Sequence, residues 1–321
     1  MNDRGMTEAK SILRLTMHLC FLLLAFLFTL PVTARGEEWN ADGASSSYLN
    51  DLNRTEYAED KAPDPTPVFR WDFSGKKVAA YSFQQEVITG TEMDGAFANG
   101  LNQPLQSLST KGALLVKSKG DGTAELVITD MKSVMQIAIN RAELPKTMER
   151  EIPSFSVQGM KEDGTGSFGD NAREMFLKMI FPLPTRSLKV GESIELSVQI
   201  PFNAMGSRLQ VTGHSRFKLT RYVRIGNRTC AQFDVEMDTS DLKVPAELKG
   251  EYTCSGKGSA VYFFDVRDRI FVSGTTAFLM QFHVDAPVPK MTIKGEMPKN
   301  LPERMKMVMK SDNYIRISLQ E

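Results

Sequence analysis

An all-β fold built from antiparallel sheets is predicted by three observations. Past residue 67 the dominant hydropathy period is two, turn-forming residues separate the alternating runs, and helical periodicity is scarce. In "SIELSVQI", Ile194, Leu196, Val198 and Ile200 share one side, opposite Glu195, Ser197 and Gln199. "RFKLTRYVRI" sets Phe217, Leu219, Val223 and Ile225 against Lys218, Thr220 and Arg224. "AQFDVEM" alternates Ala231, Phe233, Val235 and Met237 with Gln232, Asp234 and Glu236, and "AFLMQFHV" offers Phe278, Met280, Phe282 and Val284. Strict alternation marks strands with one buried face, the habit of antiparallel rather than parallel sheets. The breaks are turn chemistry: "KGDGT" at 119–123, "IGNRT" at 225–229 and "DVRDR" at 265–269.

One short helix is expected between the β-rich halves. Asn171 can cap it with Glu174 three residues on, Met175, Phe176 and Met179 share a face, and Pro182 and Pro184 end it. Around it, "VKSKGDGTAELVITDM" resembles "VRIGNRTCAQFDVEM" turn for turn, and each half opens with Gly and charged residues ahead of a strand. This reads as two related β-modules, 68–168 and 186–296, linked through 169–185. Each is a curved sheet, sandwich or half-barrel, and a C-terminal segment, 297–321, carries a final strand.

The first 34 residues order themselves as basic, apolar and small. Lys10 and Arg14 precede an uncharged run, Leu19 to Leu30, and Val32-Thr33-Ala34 places small or β-branched residues before a cleavage point. That is the layout of a secretory signal peptide, cleaved after Ala34. An uncleaved anchor is the other reading, although it would contain His18 and Pro31. Cys20 follows Leu19 at the start of the apolar run, which is the wrong context for lipidation. Residues 35–67 are polar, finish on Pro63, Pro65 and Pro67, and read as a leader, mostly disordered or a loosely held arm.

Removal of the signal leaves 36 basic and 37 acidic residues. Such a balance carries no footprint for nucleic acid or an anionic membrane, so membrane contact is expected only through the signal segment before cleavage. An exported chain lodges in the periplasm or outside the cell, where thiols oxidise. Cys230 and Cys254 are therefore a disulfide candidate, closing a loop of about 25 residues worth roughly 3–4 kcal/mol in the chain-entropy model. Two independent thiols are the alternative.

The openings "FSGKKVAAYSF" and "LKVGESIELSV", the "GNRTCAQFDVE" hairpin and the export signal together resemble uncharacterised exported all-β envelope proteins of bacteria, known only as domains of unknown function. The likeness spans about Val68 to Pro289. It implies an envelope location and a β-rich fold, and brings no catalytic residue.

Motifs with catalytic precedent fail on context. Gly164, Gly166 and Gly169 have dinucleotide spacing, but "KEDG" separates them from the preceding strand and the following strand alternates, so no parallel βαβ unit exists. The mature chain has two histidines, His214 and His283, and no nucleophile elbow. His283, beside Asp285, falls on a polar strand face. Met305, Met307 and Met309 alternate with Lys306, Val308 and Lys310, a soft-ligand pattern for Cu(I) that also fits a strand burying methionine. Carboxylate pairs lie in turns, and Trp39 and Trp71 are too few for a sugar cleft. The sequons at Asn53 and Asn227 matter only in a glycosylating host. No catalytic, cofactor or metal residue is assigned.

The expected role is that of a non-enzymatic exported envelope protein acting by binding or interaction, an interaction or structural module with an envelope protein as partner. Aromatic faces such as Tyr262, Phe264, Phe278 and Phe282 leave open a carrier of lipid or another apolar ligand. An envelope hydrolase with an unfamiliar site is the third reading. The signal assignment predicts that N-terminal sequencing of the exported protein starts at Arg35; a chain starting at Met1 in the membrane fraction contradicts cleavage.

Overall fold

A computed structural model of the protein describes residues 56–93, 105–137, 146–166, 180–204, 207–287 and 303–320. The strands are β1 (Val78–Met93), β2 (Leu105–Ser118), β3 (Thr123–Ile137), β4 (Lys146–Ile152), β5 (Phe155–Lys161) and β6 (Ser193–Ala204). They continue as β7 (Ser207–Ile225), β8 (Arg228–Lys243), β9 (Glu251–Asp265), β10 (Ile270–Pro287) and β11 (Arg304–Leu319). All belong to one antiparallel sheet in the order β4-β3-β2-β1-β11-β10-β9-β8-β7-β6, with β5 also on β3. The architecture is all-β, as the alternation predicts. Among the described residues the sheet is not closed.

Every pairing except two joins strands adjacent in sequence: β5 pairs with β3, and the pairing of β1 with β11 links the two halves. β1 and β11 pair over a long register running from Tyr81↔Leu319 to Met93↔Met307. The stretches read as modules thus lie as two arms of the same sheet. β11, from the C-terminal segment, lies between β1 and β10. β4 and β5 lie end to end along β3, at Met131↔Ile152 and Ile128↔Phe155, parted by Pro153. The expected helix falls largely on residues 167–179, outside the described residues. Its last positions, Ile180 and Phe181, are buried in the core.

Alternation fixes which face is hidden. One face collects Tyr81 and Phe83 of β1, Leu114 of β2, Leu126 of β3, Phe217 of β7, Phe233 of β8, Tyr262 of β9 and Ile317 of β11, all buried. The opposite face exposes Arg216, Lys218, Glu236, Lys257 and Arg316. An outer-membrane barrel turns its apolar band outward. Here the polarity is reversed, and the charged face meets water.

The sheet is rolled, and a five-residue segment shows by how much. The ring of Phe69 meets Phe233 of β8 at a centroid distance of 4.9 Å. Two residues on, the Trp71 amide donates to the Glu162 carbonyl, just past β5, at 2.8 Å. Two residues span at most about 7 Å of backbone. In a flat sheet β5 and β8 would stand about 34 Å apart, seven strand spacings at roughly 4.8 Å each. Only a strongly curled sheet brings them to one short segment.

That segment fills the hollow. Phe69, Trp71 and Phe73 are buried with Phe181, Leu183 and Leu188 from the connection before β6. Trp71 stacks on Phe73 at 5.7 Å and meets the edge of Phe181 at 5.3 Å, while Phe181 reaches Tyr81 at 5.1 Å. Such ring pairs each contribute about 0.5–1.5 kcal/mol beyond their burial. The Tyr81 hydroxyl donates to the Phe271 carbonyl at 2.9 Å, satisfying its polar end. A smaller cluster of Leu209, Val211, Cys254, Phe278, Met280, Phe282, Val284, Met307 and Met309 lies toward the opposite strand ends. Between the clusters runs a buried polar belt on the same face: Gln85 donates to Asn313 at 3.2 Å, and Thr110 bonds Ser133 at 2.9 Å.

Bulges and glycines supply the curl. Asp130, at φ 54, adds a residue opposite Gly112, and Gly159, at φ 83, does so where β5 pairs with β3. Further register shifts occur at Thr212/Gly213, Leu219/Arg221 and Phe271/Ser273. Extra residues of this kind bend a strand and sharpen its twist. In the leader, Ala58 and Asp60 are held at the sheet. The Asp60 amide donates to the Tyr222 carbonyl at 2.9 Å, the Arg224 amide to Ala58 at 2.8 Å, and the Asp60 carboxylate accepts from Thr229 at 2.7 Å. Residues 35–55 lie outside the described residues.

Phe278 lies over Gly256 and Gly258, where a Cβ would find no room. At Gly258 it would meet the Ala277 carbonyl oxygen and the Phe278 ring at 2.7 Å each. Gly258→Ala is predicted to lose about 1–3 kcal/mol, the usual range for overpacking, read as a lower urea midpoint with unchanged slope. Wild-type stability would contradict the packing.

Candidate functional site

Two features of the described residues are open to a partner: a polar groove on the outer face, and the two unpaired edges of the sheet. The groove, of ≈ 270 Å³, lies across β1, β9, β10 and β11 and includes Glu92, Glu251, Thr253, His283, Asp285 and Lys306. Register explains the gathering. His283 stands opposite Thr253 on one side and Val308 on the other, and Asp285 stands between Glu251 and Lys306. Asp285 is already committed: Arg304 donates through Nε at 2.7 Å, and Lys306 lies 3.7 Å away. The hydrogen bond from Arg304 holds the Asp285 carboxyl below its ordinary range. A base-and-nucleophile pair needs a hydrogen bond that aligns it. Among the described residues His283 makes none and is exposed. His214 is exposed on β7, between Ser197 and Asp238 in register. Among the described residues no group of His, Cys, Asp and Glu is arranged to hold a metal ion.

The edges are β6 on one side and β4–β5 on the other. β4–β5 is blunted by Glu149, Arg150 and Glu151, by the break at Pro153 and by the bulge at Gly159. Charges, proline and bulges on an edge discourage further strand pairing. β6 runs as one strand of 12 residues with Pro201 toward its end and, from Ser193 to Ile200, carries one charge, Glu195. Its inward residues Ile194, Leu196 and Val198 are half-buried, while Glu195, Ser197 and Gln199 are exposed. Beyond β6, the same side of β7 is occupied by Gly191, whose amide donates to Leu219, and then by Ala58–Asp60.

The disulfide expectation is corrected. Cys230 and Cys254 are free and buried. The β8–β9 register runs from Cys230↔Asp265 to Thr239↔Gly256, so Cys254 lies beyond the far end of the ladder from Cys230. At about 3.3 Å per residue that is a separation on the order of 30 Å, against the 7 Å limit for bridged Cα atoms. Even-numbered exported cysteines suggested a pair, but strand register overrules the count. Burial pushes both thiols up to about 12.

The other singled-out residues fall into structural places. Met307 and Met309 are buried on the inner face, against Val284 and Phe282 in register, with Lys306 and Lys310 on the outer face. Gly164, at φ 77, and Gly166 belong to a turn after β5 in which the Lys161 amide donates to Thr165 at 2.7 Å; Gly169 is outside the described residues. Tyr262, Phe264, Phe278 and Phe282 are buried. The signal segment, with its cleavage point at Ala34, is outside the described residues. Among those described, no helix is long and apolar enough to cross a membrane. Reading the sequence missed the β6 edge, whose unpaired state depends on which strands are absent beside it. It also missed Phe69, Trp71 and Phe73 as core filling, although "FRWDF" alternates.

Asp312 was missed as well. It lies on the outer face between Ile88 of β1 and Leu279 of β10, flanked along β11 by Lys310 and Tyr314. It is 2 % exposed, and neither carboxylate oxygen has a hydrogen-bond partner among the described residues.

Comparison with known proteins adds no family. No family model matches the chain. No curated protein matches. Among solved structures, the translocator domain of autotransporter NalP from Neisseria meningitidis is similar at 8 % identity, over 84 % of this chain and 92 % of that one, with a TM-score of 0.14. A score that low carries no argument about fold or function.

Burial pushes the Asp312 carboxyl up to about 6. A raised folded value means that the protonated form stabilises the fold: stability is full below about pH 4 and is lost as pH rises through 6. Asp312→Asn is predicted to raise the melting temperature at pH 7.5, by an effect on the order of 2–3 kcal/mol, and to change it little at pH 4. Destabilisation at pH 7.5 would show that the ionised carboxylate has a partner.

Proposed function

We propose that this protein is an exported, non-enzymatic binding protein of the cell envelope, engaging an extended segment of a partner at the β6 edge. The observation that carries this reading is the unpaired, nearly uncharged β6 ladder beside a hollow that the chain fills with its own aromatic residues. Strand addition draws affinity from main-chain hydrogen bonds and specificity from alternate side chains. β6 offers both, with Ile194, Leu196 and Val198 inward and Glu195, Ser197 and Gln199 outward. The export signal read from the sequence supports an envelope location for this activity. Asp285 in the outer groove is held by Arg304 rather than by His283.

A carrier of an apolar ligand is the second reading. It is favoured by the smaller cluster, where Phe278, Phe282, Met280, Met307 and Met309 form an adaptable apolar surface on the hollow face.

A photo-cross-linking residue at Ser197, compared with one at Lys257 on the outer face, separates these readings in the native host. A discrete adduct confined to position 197 is expected. Equal labelling at both positions would contradict edge binding. Stoichiometric lipid in native mass spectra of the purified protein would instead establish the carrier.

A further inference from the structure

The two edges that leave the sheet open belong to strands that are neighbours in sequence order. Apart from β4 and β5, which lie end to end along β3, every other such pair is hydrogen-bonded, and the ends of the series meet at β1–β11. The topology is therefore that of an up-and-down barrel with a single unsealed seam, between β4–β5 and β6. We infer that this seam closes by direct pairing of β6 with β4–β5, converting the open sheet into a complete antiparallel barrel.

Strand direction supports direct closure. Each ladder is antiparallel, so direction alternates around the sheet. Following that alternation from β1 both ways leaves β4–β5 and β6 antiparallel to each other. They can pair with nothing between them. A single inserted strand would have to run parallel to one edge, whereas a hairpin would be antiparallel to both. Proximity supports it too. The span from Phe69 to Trp71 joins β8 to the end of β5, and β6 lies two positions beyond β8 toward that end. The two edges also share a core: Ile152 and Phe155 on one side and Ile194 and Leu196 on the other pack, only partly buried, against the same cluster. Pairing the edges covers these residues and satisfies two rows of backbone groups, which is how barrels remove the liability of an open edge.

Closure hides the edge used in the proposed function, and as a control on binding it rests on that reading; the closure itself does not. Ser156 of β5 is exposed on the outer face, as are Glu195, Ser197 and Gln199 of β6. The experiment uses the full chain with Cys20→Ser, carrying Ser156→Cys paired in turn with Glu195→Cys, Ser197→Cys or Gln199→Cys. Cys230 and Cys254 are buried and contribute little thiolate. Under mild oxidation, one pair is expected to form an intramolecular disulfide at least tenfold faster than the other two. Hydrogen exchange of the unsubstituted chain is expected to protect β6 amides as strongly as those of β7. The inference is overturned if no pair links while every introduced thiol is alkylated and β6 exchanges as a free edge. Disulfide-linked dimers as the main product would also overturn it and assign the edge to a second copy. If photo-adducts at position 197 persist in the chain whose seam is locked by the disulfide through position 195 or 199, closure stands and edge binding fails.

Discussion

The ladder between β1 and β11 ties the start of the sheet to its end, and the remaining architecture depends on it. Its register carries Tyr81 against Leu319 and Thr91 against Met309, so the two arms share one inner face from end to end. Without it the chain would be two meanders, each with two free edges and a half-covered apolar side. With it, the inner face becomes continuous and the sheet curls around whatever fills it. The filling comes from the chain itself: Phe69, Trp71 and Phe73 from one side, Phe181, Leu183 and Leu188 from the other.

This arrangement ties the core to the candidate site. The connection that supplies Phe181 and Leu188 also delivers the chain to β6, the least protected strand of the sheet. Phe181 and Leu188 pack within the larger cluster, while Ile194 and Leu196 of the edge strand pack against it, partly buried. The buried belt of Gln85, Asn313, Thr110 and Ser133 separates this filled end from the smaller, methionine-rich cluster. Satisfied polar pairs of this kind hold one register against slippage, because a shift of one residue would bury charges and expose rings.

The strands whose local pattern alternates were legible in the sequence. "SIELSVQI" lies within β6, "RFKLTRYVRI" within β7, "AQFDVEM" within β8 and "AFLMQFHV" within β10. The turn at Gly226 was legible because a tight hairpin needs positive φ there, and it is found at φ 58. β4 was not, since "KTMEREI" shows little apolar alternation and is defined by its ladder to β3. The pairing of β1 with β11 and the separation of Cys230 from Cys254 are matters of long-range register, which no local pattern encodes. Of the candidate site, the alternation of β6 was visible, but its being an edge was not. Asp312 stands between polar Ser311 and Asn313, so nothing local marks it, and only its surroundings bury it.

The central claim is that one short aromatic segment spans a rolled sheet. Nuclear Overhauser contacts in the labelled protein test it most directly. The account predicts cross-peaks between the rings of Phe69 and Phe233, and between Trp71 and the backbone at Glu162. Absence of both, in a sample that shows the cross-strand contacts of Tyr81 with Leu319, would mean that the two arms are joined but the sheet is not rolled, and would contradict it.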